Sequence, residues 1–142
     1  MGRWEQMSQN FTYIEYLKSG STKQRNAYIS LTQLNIFNIL SKYQPILTGT
    51  IPINIYTSSN DLDISCCYKS STEFERTIVR NFKEKHQFQI WNTMKQDFES
   101  VVASFVSDGF NIEIFGQNTL TTLQMTYQHM VREHEILISK MK

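Results

Sequence analysis

The chain has 142 residues, of which 40% are hydrophobic, 13% aromatic and 19% charged, with a net charge of +1. That length suits one ordinary domain, and the composition is that of a globular chain with enough apolar material for a core. Near-neutral charge argues against bulk binding of duplex DNA or RNA, which a strongly basic surface would mark.

The opening stretch "MGRWEQMSQN" lacks a signal-like apolar run, and its Met-Gly start fits the myristoylation pattern poorly. Nowhere does the chain approach the roughly 20 apolar residues of a membrane span. Cys66 and Cys67 are adjacent, too close for easy bridging and wrongly spaced for a zinc pair. They read as reduced thiols, which points to a reducing, cytoplasmic compartment and no membrane partner.

In chain order, "STKQRNAYISLTQL" (21–34) predicts a helix capped by Ser21 or Thr22, with Ala27, Leu31 and Leu34 on one face. "NIFNILSKY" continues it after a break near Asn35, burying Ile36, Leu40 and Tyr43, and Pro45 ends it. "PILTGT" predicts a short strand closing in a turn at Gly49. "IPINIYTSSN" is a connection, and "DLDISCCY" the second strand. "STEFERTIVRNFKEK" predicts a helix capped by Ser71 or Thr72, with Phe74, Ile78 and Phe82 inward. "HQFQIWN" alternates, "SVVASFV" is an apolar strand, and Asp108-Gly109 predicts a tight hairpin into "FNIEIFG". Last, Leu120, Leu123, Tyr127, Met130, His134, Leu137 and Met141 recur at steps of three and four, predicting a long amphipathic helix. No linker or repeat divides 1–142. The expectation is one α+β domain with a mixed sheet of about five strands packed against helices.

Chemistry concentrates at Asp61 and Asp63, which alternation places on one face of a strand. Like charges side by side repel, so two readings stand: a solvated strand start, or a pair held for a divalent cation. The Gly49-Thr50 turn, separated from Asp61 by ten residues, is either an ordinary strand end or a phosphate cradle, glycine letting backbone N–H groups approach and threonine adding a hydroxyl. Glu113, flanked by Ile112 and Ile114, is the candidate third acid; its alternatives are an exposed strand face or a salt bridge. Arg76, Arg80, Lys83 and Lys85 form a basic helix face, most simply solvated. His129 and Glu133 are spaced to pair on a helix surface, and His134 sits at a core edge. Trp4 and Trp91 are core or stacking residues. No Ser-His-Asp order, dinucleotide loop or P-loop is present.

Gly-Thr followed by Asp-x-Asp resembles the signature of the nucleotidyltransferase superfamily, with its polymerase-beta-like fold. Four blocks, "YLKSGSTKQRNAY", "GTIPINI…NDLDI", "EIFGQ" and "Q..Y.HM..E", are together similar to a family of small bacterial proteins classed as a domain of unknown function with that fold. The resemblance implies that Asp61, Asp63 and Glu113 bind Mg²⁺ or Mn²⁺ and serve catalysis, and that Gly49 and Thr50 hold a nucleoside triphosphate. It extends to Gln117 and His129 as further family positions. Active nucleotidyltransferases often carry Arg or Lys just after the turn; here "IPINIY" is uncharged, which leaves Arg76 or Arg80 as the expected phosphate cation. The implied activity is nucleotidyl transfer to a small-molecule or protein acceptor; the alternative is an inactive relative binding a nucleotide or a protein partner.

Overall fold

A computed structural model of the chain describes residues 9–95 and 97–141, so Trp4 lies outside the described residues. After a 3-10 turn at Glu15–Ser19 comes helix α1, Thr22–Leu34. Ser21 caps it in a full capping box with Gln24, and Asn35, in the left-handed conformation, ends it at the predicted break. A short helix α2, Ile36–Ile39, and a 3-10 turn at Ser41–Tyr43 bury Ile36, Leu40 and Tyr43.

The strands are β1 (Ile46–Thr48), β2 (Asp61–Cys67), β3 (His86–Lys95), β4 (Phe98–Ser107) and β5 (Phe110–Gln117). They form one sheet in the order β1-β2-β5-β4-β3, with β2 and β5 parallel and the other pairs antiparallel. Asp108 and Gly109 turn β4 into β5 at φ 53° and 79°, as a two-residue hairpin requires. Helix α3, Ser71–Phe82, begins one residue earlier than predicted because Ser70 is the cap, its hydroxyl accepting from the Glu73 N–H.

Helix α4, Met125–Lys140, is shorter than the periodicity predicted. Leu120 and Leu123 fall before it and are exposed. Contacts with the sheet region hold this approach out of the helix: Thr121 Oγ1 donates to Gln44 O, and Gln124 Nε2 donates to Cys66 O and Thr119 O.

The register divides the sheet into two faces. Leu47, Leu62, Ile64, Ile112, Ile114, Ala103 and Phe105 share one, and they join α1 and α3 in the main core. Phe82 stacks on Phe105 with ring centroids 5.2 Å apart. A Cβ at Gly116 would lie 2.4 Å from the Phe74 ring, so a glycine is required where α3 meets β5. The other face carries Thr48, Asp61, Asp63, Ser65, Glu113, Phe115, Val102 and Trp91. Its β1 side is covered where Met130 of α4 packs with Phe11, Ile46 and Ile53 in a second, smaller core, and Ser100, Val102 and Gln117 are buried toward its β4 end. The rest of that face is where the polar side chains gather.

Candidate active site

Alternation in "DLDISCC" sends Leu62, Ile64 and Cys66 into the core, which forces Asp61, Asp63 and Ser65 onto the open face. In β5 the same logic buries Ile112 and Ile114 and turns Glu113 outward. The parallel register sets Asp63 beside Glu113 and Asp61 beside Asn111. Neighbouring strands lie about 4.8 Å apart and same-face residues about 6.6 Å apart along a strand, so Asp61, Asp63 and Glu113 occupy one small acidic patch. Among the described residues none of the three has an ion-pair partner. Asn111 Nδ2 donates to Asp61 Oδ1 at 3.2 Å.

Asp63 is the half-buried member. Burial, then the neighbouring Glu113 and Asp61 charges, push its carboxyl up to about 7. Burial also raises Glu113, while Lys95 pulls it down and Asp61 pushes it up.

Gly49 closes the site from the β1 side. It has φ 87°, and a Cβ there would stand 2.8 Å from Asp63 Oδ2. The turn thus sits directly against the carboxylate, which only glycine permits. Thr50 is half-buried, and its carbonyl accepts from Ile55 N at 3.1 Å. Two neighbours on α1 pin the connection that follows. Gln24 Nε2 donates to Ile51 O at 2.9 Å, and Lys23 Nζ donates to Thr57 O and Ser59 O at 3.0 and 2.9 Å. Thr48, Ser65 and Thr126 form a chain of hydroxyl contacts at 3.0 and 2.9 Å from β1 to α4, next to Asp63.

Arg76 and Arg80 do not belong to this site. Their helix buries Phe74, Ile78 and Phe82 in the main core, so it lies across the sheet from the acids. The expectation that they bind the phosphates is therefore corrected: the sheet itself separates them. A cation on the open face is Lys95, on the face of β3 shared by Gln89, Trp91 and Thr93, and its charge reaches Glu113. Gln117 is on the open face but buried, with Nε2 donating to Ser100 Oγ at 2.9 Å. His129 is exposed and 3.7 Å from Glu133, the expected surface pair. His134 packs edge-on against Phe11, and burial lowers its pKa.

Sequence reasoning missed Lys95 and Asn111. Each shares a face with the acids by simple alternation, but Lys95 could be placed only once the hairpin joining β3 to β4 was known.

Among the described residues no set of three or more His, Cys, Asp or Glu side chains is gathered into a ready metal cluster. The patch nevertheless suits Mg²⁺, which is commonly held by one or two carboxylates and completed by substrate phosphates and water. Unpaired, mutually repelling acids, one of them resisting ionisation, are what such a cation would relieve.

The family model described as a domain of unknown function (DUF4269) matches residues 29–142. No curated protein matches the sequence. Among solved structures, the Cid1 poly(U) polymerase bound to Mg 3′-dATP is similar with TM-score 0.53 and 10% identity, over 83% of this chain and 37% of that one. The same enzyme bound to MgGTP gives 0.53 and 12%, over 82% and 36%. A cytoplasmic RNA terminal U-transferase gives 0.51 and 10%, over 83% and 35%. The likeness is one of fold: α+β and nucleotidyltransferase-like. The chain spans little more than a third of the length of these structures.

Proposed function

Starting from the fact that this chain belongs to the DUF4269 family, we propose that it is a minimal nucleotidyltransferase, moving a nucleotidyl group from a nucleoside triphosphate to a small acceptor. The observation that carries this reading is the acidic patch itself: Asp61 and Asp63 on β2, Glu113 beside them on β5, and Gly49 seated on Asp63. The nucleotidyltransferase-like fold supports it.

Asp61 and Asp63 would hold Mg²⁺ or Mn²⁺, with Glu113 as the third acid. The cation supplies charge neutralisation and polarises the phosphate oxygens. The chain's own residues do the rest. Gly49 lets the turn's backbone lie against Asp63, where its N–H groups would meet a phosphate, and the Thr50 hydroxyl would serve as a further donor. Lys23 and Gln24 fix the loop that follows, so the turn keeps its place.

Incubation with each α-labelled triphosphate and Mg²⁺ or Mn²⁺ tests the reading against pools of small metabolites and proteins. Label is expected in an acceptor, and Asp61→Ala or Asp63→Ala should lower incorporation on the order of 100-fold or more. Absence of metal-dependent label in every pool rejects it. One observation favours the alternative of a nucleotide-binding relative without turnover: the stretch after Thr50 is uncharged. Mg²⁺-dependent nucleotide binding with no label transfer identifies that case.

A further inference from the structure

Beside the acids, on the same open face, lies a cavity of about 190 Å³ lined among others by Lys95, Phe98, Phe115, Gln117, Gln124 and Met125. The ladder fixes its relation to the site. Phe115 stands two residues past Glu113 on β5 and shares its face, so the cavity begins one row, about 6.6 Å, from the carboxylates. The Gly49–Thr50 turn lies on the opposite flank of Asp63, over the β1 end. A phosphate chain gripped by that turn therefore leaves this cavity free for the second substrate.

The lining says what kind of molecule fits. Phe98 and Met125 are 50% and 60% exposed, so apolar surface stands open that a flat ring would cover. Gln124 is only 2% exposed, and its Nε2 is used by two carbonyls. Its Oε1 is buried and has no hydrogen-bond partner, an acceptor left unsatisfied at the cavity wall. Lys95 brings a positive charge with no ion pair among the described residues. The volume is below the roughly 300 Å³ at which pockets for whole drug-sized ligands begin, so one ring system fits and a nucleotide chain or folded peptide does not.

We propose that this cavity is the acceptor pocket, taking a small, flat, apolar molecule with a hydroxyl and one anionic group, its anion on Lys95 and its ring against Phe98 and Phe115. This rests on the transferase reading. In the transfer, the acceptor oxygen bonds to the α-phosphorus of the triphosphate. The bond from that phosphorus to the bridging oxygen breaks, pyrophosphate leaves with the electron pair, and the hydroxyl proton passes to water.

The test is a ¹H–¹⁵N NMR titration of the full chain with 4-hydroxyphenylacetate and, separately, with its cationic counterpart tyramine, without metal or nucleotide. Shifts are expected at 95, 97–98, 115–119 and 123–126, with the anion bound on the order of tenfold more tightly. Lys95→Met should abolish that preference, and Phe115→Ala should weaken both probes. Should Phe115→Ala fail to fold, Lys95→Met, at an exposed position, still decides. Equal affinity for the two probes, shifts confined to other regions, or an unaltered preference in Lys95→Met would overturn the pocket assignment. Titration with Mg²⁺ and each triphosphate on the same sample reads the premise separately. Probe binding without any Mg²⁺-dependent nucleotide shift at 49–50 and 61–63 overturns the acceptor role while the ring site itself stands.

Discussion

Asp63 shows how one side chain ties the site to the stability of the whole. Its pKa is raised in the folded state from 3.8 to about 7, so the folded chain binds that proton more tightly than the unfolded chain does. The associated stability is complete below about pH 4 and drains away as pH rises through about 7. Ionising Asp63 at neutral pH thus costs the fold on the order of a few kcal/mol. In metal-free buffer, wild-type thermal midpoints should fall from pH 4 to 8, and Asp63→Asn should flatten that slope and be the more stable protein at pH 8. Adding Mg²⁺ at pH 8 should raise the wild-type midpoint and leave Asp63→Asn nearly unmoved. A variant with the wild-type slope would show that burial and repulsion at Asp63 are not what the fold resists.

At the scale of elements, α3 separates a structural role from a chemical one. Its cap, Ser70, satisfies the Glu73 N–H, so Ser70→Ala should lower stability by about 1 kcal/mol in chemical denaturation. The double variant Arg76→Ala, Arg80→Ala should leave Mg²⁺-dependent triphosphate affinity within about twofold of wild type, because both residues lie across the sheet from the acids. Isothermal titration checks the second expectation, and a tenfold loss would contradict it. The sequence already held this answer. A helix whose Phe74, Ile78 and Phe82 seek the core packs on the apolar face of β2, and that is the face Asp61 and Asp63 avoid. Lys95 was harder to find. Its alignment depends on a hairpin register that alternation in "HQFQIWN" alone does not set. The first turn of α4 starts later than the helical period of Leu120 and Leu123 predicts, for a related reason: Gln124 and Thr121 tie that segment elsewhere.

Across the whole molecule the sheet is stabilised unequally on its two faces. The face against α1 and α3 carries the large core, and the face under α4 only the small group around Met130. Native-state hydrogen exchange should therefore find α4 opening at lower free energy than the central strands β2 and β5, which should exchange only through global unfolding. Coincident opening of all three would show one cooperative unit. The element order was legible because each strand and helix has a clear period; the division of labour between the faces was not, because it depends on which apolar rows meet at a distance.

Parallel pairing of β2 with β5 has a kinetic consequence. Asp63 and Glu113 stand fifty residues apart in the chain, and everything from α3 through β4 must cross over before they become neighbours. A ligand that needs both acids finds nothing to grip during synthesis or early collapse. Such a ligand would act as a latch on the finished product, retarding unfolding while leaving the rate of folding unchanged.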